Sequence, residues 1–305
     1  MSDISLVSIV TPCLNSERFV KRCIESVLAQ DHPHVEHVVQ DGGSTDGTLD
    51  ILRSYEGKVD WVSEKDSGEA DGLNRALRRC KGSIILVLNA DDMLLPHAAR
   101  WAVEKMDDYP EAAVIYGDEY IIDEEDRVIE EFTGPDPYDF AQILCVERVI
   151  PAQAAFIRRA HLEAVGLYTE PALKRCPDYE IFIRIGVRFP MRYVSGFVSK
   201  YRWHVFSFSR DASQVKFQVT SKRAVIDRVL RDPRTPPEIR ALYGRACGGL
   251  HLWACEQLRH QGALVAAWRH NLYARRYLPD SERLKTVTNC LIEASRKRVF
   301  MALGA

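Results

Sequence analysis

The chain has 305 residues, with 43 acidic and 41 basic side chains and a formal net charge of −2 at pH 7. This length allows one elaborated domain or two small ones, each with its own core. No apolar run approaches the roughly 20 residues that cross a bilayer, and the N-terminus lacks a signal-peptide pattern, so we expect a cytoplasmic protein. The 8 cysteines are scattered without a C-x-x-C pair, which favours reduced thiols over a zinc site.

The charge is unevenly distributed. From Lys216 onward there are 17 Lys and Arg against 7 Asp and Glu, whereas the preceding residues carry 24 and 36. The acidic body argues against nucleic acid as its ligand, because phosphate backbones are bound by basic surfaces. A phosphorylated ligand held by this body would need a metal ion to mediate.

Short apolar runs alternate with helical patterns in the first third of the chain. The runs cover residues 7–11, 35–40, 59–63 and 82–88. This alternation with short loops predicts a doubly wound, mostly parallel sheet flanked by helices. The first loop has no G-x-G-x-x-G and the chain has no G-x-x-x-x-G-K, so neither a dinucleotide-binding domain nor a P-loop NTPase is indicated.

The central run, 82–88, ends in Asn89, Ala90, Asp91 and Asp92. Ligands of open α/β sheets bind at the carboxyl ends of the strands. Two adjacent carboxylates buried there need a cation or hydrogen-bond donors to neutralise them. The residues alone leave two interpretations open: a divalent metal holding a phosphorylated ligand, or a turn in which Asp92 caps the next helix.

Two further loops carry acids and glycines. Residues 41–48 read DGGSTDGT and open a helix, so they indicate either an anion-binding loop or a flexible turn. Residues 64–71 read EKDSGEAD after the third strand. Farther along, Asp178 follows Cys176 and Pro177 at the start of a helix, where an acid could be a plain N-cap.

The C-terminal third is helical in pattern. Residues 242–259 and 263–277 flank Gly262 as an antiparallel hairpin, and residues 282–301 form an amphipathic helix with three basic residues at 296–298. These helices could pack on the body, join two subunits in a homodimer, or contact anionic lipid at about 1 kcal/mol per basic residue. We predict one domain over 1–212, divided near 117 into a nucleotide-sugar half and an acceptor half, and a basic helical extension over 213–305.

Four stretches in a fixed order resemble the family 2 inverting glycosyltransferases. They are residues 8–15 (SIVTPCLN), 40–48 (QDGGSTDGT), 64–68 (EKDSG) and 89–92 (NADD), and the likeness extends from Val7 to about Arg210. The resemblance implies the GT-A fold, a Rossmann-like α/β sheet. It also implies a nucleotide-sugar donor and a Mg²⁺ or Mn²⁺ cofactor.

The resemblance also implies roles for individual residues. Thr11 and Asp41 would hold the base, Asp66 and Asp71 would lie along the nucleoside and sugar, and Asp91 would touch the ribose. Asp92 would bind the metal, with His204 as a further ligand. The implied donor site is completed by Pro12, Asn15, Gly42, Gly68, Asn74, Asn89 and Arg202.

Asp178 matches the family's catalytic base, and residues 201–204 (YRWH) match its late motif near the pyrophosphate. Two departures stand out. Cys176 and Pro177 precede the base where Glu is common, and Ser199 replaces the Gln of the Q-x-x-R-W motif of processive members. Transfer of a single sugar is therefore expected rather than synthesis of a long polymer.

The expected activity is transfer of one sugar, probably not excluded from any lipid-linked or glycan hydroxyl, in surface polysaccharide synthesis. Two other classes stay open: a non-catalytic nucleotide-sugar binder or scaffold, and a sugar nucleotidyltransferase. The second is disfavoured because residues 11–15 lack the basic, glycine-rich loop that grips a triphosphate.

Overall fold

The computed structural model describes residues 5–170, 173, 176–204 and 212–278. The predicted helix 282–301, with its basic residues, lies outside the described residues. The chain divides into two compact units, Met1–Phe140 with Val149–Ser207, and Ala141–Arg148 with Phe208–Ala305. Residues 141–148 thus belong with the C-terminal helices, although the sequence placed them in the first domain. Within the described residues, no helix is both long and apolar enough to cross a membrane.

The first unit is built on a nine-stranded sheet. Its strands are β1 (Val7–Cys13), β2 (Val35–Asp41), β3 (Asp60–Ser63), β4 (Ile84–Val87), β5 (Met93–Leu94), β6 (Val114–Ile122), β7 (Val128–Phe132), β8 (Ala155–Arg158) and β9 (Met191–Arg202). Their order is β3-β2-β1-β4-β8-β6-β9-β5, with β7 paired to β6. The ladders joining β1 to β4 are parallel, as predicted, and β8, β7 and β5 add antiparallel edges.

Helices cover this sheet and form the second unit. The helices of the first unit are α1 (Val20–Leu28), α2 (Thr48–Ser54), α3 (Glu69–Arg79), α4 (Ala98–Asp108), α6 (Arg159–Ala164) and α7 (Pro177–Gly186). Those of the second unit, apart from the boundary helix α5 (Phe140–Leu144), are α8 (Ala212–Arg231), α9 (Pro237–Arg240), α10 (Tyr243–His260) and α11 (Leu264–Ala274). The predicted α/β sheet with a helical C-terminal region is confirmed.

The core of the first unit lies between the central strands and their helices. Ile9 and Leu86 on adjacent strands are completely buried, as is Phe156 on β8. Full burial of such side chains stabilises the fold by about 1.5–3 kcal/mol each. The strands therefore hold a rigid frame, and the loops after β1, β2, β3 and β4 meet at its carboxyl edge.

The second unit contains the predicted helical hairpin. α10 and α11 are joined by a short turn at Gly262, whose φ of +77° suits glycine. Ala254 and Leu258 of α10 pack with Ala267 of α11 and Val215 of α8. Small and apolar side chains on the inner faces thus hold the hairpin together.

Candidate functional site

Asp41 ends β2 at the carboxyl edge but faces inward. Its Oδ2 accepts hydrogen bonds from the backbone N–H groups of Gly43 and Ser44 at 3.0 and 2.9 Å and from Ser63 Oγ at 2.6 Å. Its Oδ1 accepts a bond from the Ser44 hydroxyl. Burial opposes the charged form, but these donors outweigh it and hold the pKa of Asp41 below its ordinary value. Asp41 therefore shapes the glycine-rich loop, and its oxygens are already occupied by protein donors.

Asp66 is the carboxylate that this edge presents more openly. Its Oδ1 accepts the N–H of Gly68 at 3.0 Å. A Cβ atom added at Gly42 would lie 2.7 Å from Asp66 Oδ2, and one added at Gly72 would lie 2.8 Å from it. The two glycines thus make room for this carboxylate, with the Pro12 ring bordering the same patch. No donor among the described residues bonds Oδ2, so this atom can accept a ligand N–H.

Thr11 and Asn15 support this patch from the first loop. Thr11 is fully buried, and its hydroxyl lies 3.0 Å from Nε2 of His37, on the next strand. Asn15 adopts φ +50°, and its Oδ1 accepts the N–H of Thr45 at 2.9 Å. The two residues join the first loop to β2 and the loop after it. Thr11 therefore does not turn its side chain toward a base, contrary to the expected role.

Asp71 and Asn74 on α3 are also engaged within the protein. Asp71 accepts two bonds from the Arg75 guanidinium, at 3.2 and 3.0 Å, and one from the N–H of Ser67 at 3.0 Å. Asn74 is 2% exposed, and its amide exchanges hydrogen bonds with the backbone of Thr169. Asn74 thus anchors the Thr169 segment rather than facing a nucleotide.

Asp92 lies beneath the surface at the end of β4. It is completely buried, its Oδ1 accepts the N–H of Arg202 at 2.8 Å, and its Oδ2 accepts Nδ2 of Asn89 at 3.2 Å. Burial and then the charge of Asp91 raise the pKa of Asp92 well above its ordinary range, against the lowering effect of the Arg202 hydrogen bond. This position changes the role expected of Asp92, because a buried carboxylate with both oxygens bonded does not face a metal in the cleft.

Arg202 is equally buried, with no solvent exposure. Its guanidinium donates to the carbonyl oxygens of Asp91 at 2.8 Å and Asp123 at 2.6 Å, and pairs with Asp126 at 2.6 Å. It also lies 4.7 Å from the ring centroid of Phe19. Arg202 therefore fastens the Asp91 loop to the β6–β7 hairpin, a different role from the expected contact with a diphosphate.

Asp91 and His204 meet at the outer side of this loop. Asp91 Oδ2 lies 3.1 Å from His204 Nε2, and the Asp91 side chain is 34% exposed. The His204 ring packs 4.9 Å from the Phe19 ring. These contacts hold one carboxylate oxygen and one imidazole nitrogen together at the edge of the sheet.

Asp178 belongs to the first turn of α7. Cys176 occupies the N-cap position in a left-handed conformation, φ +60°, and Pro177 begins the helix. Asp178 is therefore one turn inside the helix start and is not its N-cap. It lines a small pocket with Val87, the last residue of β4, and with Phe182. The carboxylate thus lies by the carboxyl end of the central strand.

The Asp91–His204 pair can hold a divalent metal. Mg²⁺ is usually bound by one or two carboxylates together with substrate phosphates and waters, and Mn²⁺ accepts the same oxygen ligands along with imidazole. Within the part of the chain that the structure describes, no group of three or more acidic, His or Cys side chains is arranged around a metal position. A metal here would consequently take most of its ligands from the diphosphate and water.

Sequence reasoning passed over several residues that build this site. Ser44 and Ser63 satisfy Asp41, Phe19 packs on both Arg202 and His204, and Glu119 lies buried close enough to Asp92 to raise its pKa. The two serines occupy the polar loops already noted, so their positions carried a signal. Phe19 and Glu119 look like ordinary helix and strand residues in the sequence.

With this geometry in hand, relatives identify the class of protein. The profile described as "Glycosyl transferase family 2" matches residues 8–166, more than half of the chain. The chain therefore belongs to glycosyl transferase family 2.

Two curated relatives show how much of such proteins the chain covers. It is 38% identical over 107 residues to a putative teichuronic acid biosynthesis glycosyltransferase, TuaG, of Bacillus subtilis, covering 33% of this chain and 39% of TuaG. It is 27% identical over 199 residues to the chondroitin synthase of Escherichia coli, covering 63% of this chain and 28% of that protein. The chain thus spans less than two fifths of either relative.

Solved structures share the fold at low sequence identity. The mannosyltransferase PcManGT of Pyrobaculum calidifontis, in complex with GDP-Man and Mn²⁺, has a TM-score of 0.62 at 18% identity, covering 95% of this chain and 81% of that one. S. aureus TarS 1-349, in complex with UDP-GlcNAc, has a TM-score of 0.57 at 16% identity, covering 89% of each chain. The predicted GT-A fold and family membership are confirmed.

Proposed function

We propose that this protein is a metal-dependent inverting glycosyltransferase that moves one sugar from a UDP-sugar to a hydroxyl of a glycan or lipid-linked acceptor. The observation that carries the proposal is the meeting of three carboxylates, Asp66, Asp91 and Asp178, at the carboxyl edge of the sheet. Relatives that bear names from teichuronic acid and chondroitin synthesis favour a role in surface polysaccharide synthesis. The predicted cytoplasmic location and homodimer stay predictions.

The donor site is assigned from the side chains that face outward. Asp66 Oδ2, in its glycine cradle beside Pro12, accepts the imide N–H of uracil, a donor that cytosine lacks. Asp41, Thr11, Asn15, Asp71 and Asn74 act on the donor indirectly by holding the loops that form its walls. The UDP-GlcNAc complex of TarS supports uracil, although PcManGT binds a guanine nucleotide.

The metal is assigned to Asp91 and His204, with Asp92 and Arg202 fixing the loop that carries Asp91. Mg²⁺ or Mn²⁺ bound there would neutralise charge on the diphosphate as the sugar leaves. Asp91 Oδ2 and His204 Nε2 are close enough to share one ion after a small separation of the two groups. Asp92 holds the backbone of Arg202 in place instead of contacting the ion.

Asp178 is assigned as general base. Its carboxylate takes the proton of the acceptor hydroxyl while that oxygen attacks the anomeric carbon opposite the nucleoside diphosphate, which inverts the configuration. Such a base contributes about 10² to 10⁴-fold in rate. The left-handed turn at Cys176 and the rigid start at Pro177 fix the position of this side chain.

Donor hydrolysis tests this proposal without knowledge of the acceptor. The protein is incubated with a panel of UDP-, GDP- and dTDP-sugars in Mn²⁺, and nucleoside diphosphate release is followed together with the anomer of the freed sugar by NMR. We expect slow release from a UDP-sugar, abolished by EDTA, with inversion of the α-linked donor to a β-sugar. Release of pyrophosphate from a nucleoside triphosphate and sugar phosphate, or binding of the donors with no release, would contradict it.

A further inference from the structure

The outward face of α11 is apolar. Leu264, Val265 and Trp268 are 65%, 70% and 63% exposed, and Tyr273 in the last turn is 44% exposed. The opposite face carries Ala267 and Ala274, which are buried within the helical unit. Because α11 is held by its small residues, the large side chains on the outside are not needed for the hairpin.

Basic side chains flank this apolar face. Arg269, Arg275 and Arg276 are exposed, and within the described ranges none of them forms an ion pair with a carboxylate. The sequence has no acidic residue from Gln257 to Pro279. The positive charge of this helix is therefore not balanced within the helix or by a neighbouring acid.

The spacing of these residues indicates a surface of stated chemistry. At 100° per residue, Val265, Trp268 and Leu272 share one stripe, and Arg269 and Arg276 lie along its side. A helix with bulky apolar and aromatic residues on one face and Arg beside them is typical of helices that lie in the headgroup region of anionic bilayers. Trp and Tyr are favoured at that depth because their rings are amphipathic.

We propose that the outer face of α11 is a docking surface for an anionic lipid bilayer. Leu264, Val265 and Trp268 insert among the lipid headgroups and upper acyl chains, while Arg269, Arg275 and Arg276 contact the lipid phosphates. The charge complementarity argues for lipid over a second copy of this chain, because two such faces would bring their arginines together. The surface is separate from the proposed transfer reaction, since lipid binding can be measured without a donor.

Vesicle co-sedimentation of the full chain tests this surface. Vesicles of phosphatidylcholine alone are compared with vesicles containing one third phosphatidylglycerol, at low and high salt. One variant carries Val265→Ser and Trp268→Ser, and a second carries Arg269→Gln, Arg275→Gln and Arg276→Gln. Phe217→Ser, at a 53% exposed position of α8, is the matched control for loss of an exposed apolar side chain.

We expect wild type and Phe217→Ser to bind anionic vesicles and to leave them at high salt. Each α11 variant should weaken the partition coefficient by roughly tenfold or more, given about 1 kcal/mol per basic residue near the surface. Unchanged circular dichroism and donor hydrolysis would show that the variants are folded. Failure of wild type to bind, or equal binding by the α11 variants, would overturn the proposal.

Light scattering distinguishes the remaining occupants. If the α11 variants convert a dimer into a monomer without changing vesicle binding, the face is a contact between copies and the lipid proposal fails. If only Arg296→Gln, Lys297→Gln and Arg298→Gln together abolish vesicle binding, the lipid contact belongs to residues 279–305 and the proposal for α11 fails.

Discussion

Asp91 Oδ2 and His204 Nε2 lie 3.1 Å apart, although the two residues are 113 positions apart in the sequence. The contact joins the loop after β4 to the residues that follow β9. Directly behind it, Asp92 accepts the N–H of Arg202. The two adjacent aspartates therefore have different environments, one facing the cleft and the other enclosed.

Asp91 and Asp92 should respond differently to substitution by alanine. Asp91→Ala should lower kcat/KM by roughly tenfold or more and raise the Mn²⁺ concentration needed for activity, because a metal ligand is lost. Its melting temperature should change little. Asp92→Ala leaves two buried donors, Arg202 N–H and Asn89 Nδ2, without an acceptor, at a cost of about 1–3 kcal/mol each.

Thermal unfolding and Mn²⁺ titration of the two variants check this. If Asp92→Ala kept full stability and lost its metal response while Asp91→Ala kept it, the metal would belong to Asp92, as the sequence first suggested.

Asp178→Asn should lower kcat by about 10² to 10⁴-fold and leave donor affinity near the wild-type value. Asparagine keeps the size of the side chain, so the first turn of α7 should persist. Initial rates and calorimetric binding of a UDP-sugar measure the two effects. Asp50→Asn, in the first turn of α2, is the matched control for loss of an acid at a helix start. Sugar transfer within a factor of about three of wild type would remove Asp178 as the base.

Gly42→Ala should raise the KM for the donor. The added methyl would lie 2.7 Å from Asp66 Oδ2 and would displace the carboxylate proposed to bind the base. Asp66→Asn should raise the same KM, since an amide cannot accept the uracil N–H from its nitrogen. Gly244→Ala is the control, because a Cβ there meets its nearest atom at 3.5 Å. Donor KM values equal to wild type in both site variants would place the base elsewhere.

Glu119 should make stability depend on pH. It is 7% exposed, its Oε2 has no hydrogen-bond partner among the described residues, and burial raises its pKa from 4.5 to about 8. Between these values the folded protein retains a proton that the unfolded chain releases. Stability from this group is therefore present below the unfolded pKa and falls by up to about 1.4 kcal/mol per pH unit as pH rises toward the folded pKa.

Glu119→Gln removes this titration. The melting temperature of the variant, taken relative to wild type, should rise between about pH 5 and about pH 8. Glu130→Gln, at an exposed position of β7, should show no such trend. A Glu119→Gln difference that stayed constant over this range would show that Glu119 is ionised in the folded protein.

The loop of Arg202 shows why side-chain direction could not be predicted. The sequence placed an Arg near the acidic edge, and the motif suggested a diphosphate contact. Its partners, Asp123 and Asp126, lie on a hairpin whose pairing with β9 brings them to the guanidinium. Asn74 is a similar case, since Thr169 is 95 residues away along the chain.

The sequence by itself determined the alternation of strands and helices, the family, and the loops that carry the site. These follow from local periodicity, glycine and turn chemistry, and short motifs, which are properties of neighbouring residues. Only the tertiary structure decided which acids face the cleft. Asp41 and Asp92 turn inward because donors from distant segments satisfy their buried oxygens, whereas Asp66 and Asp91 remain available to a ligand.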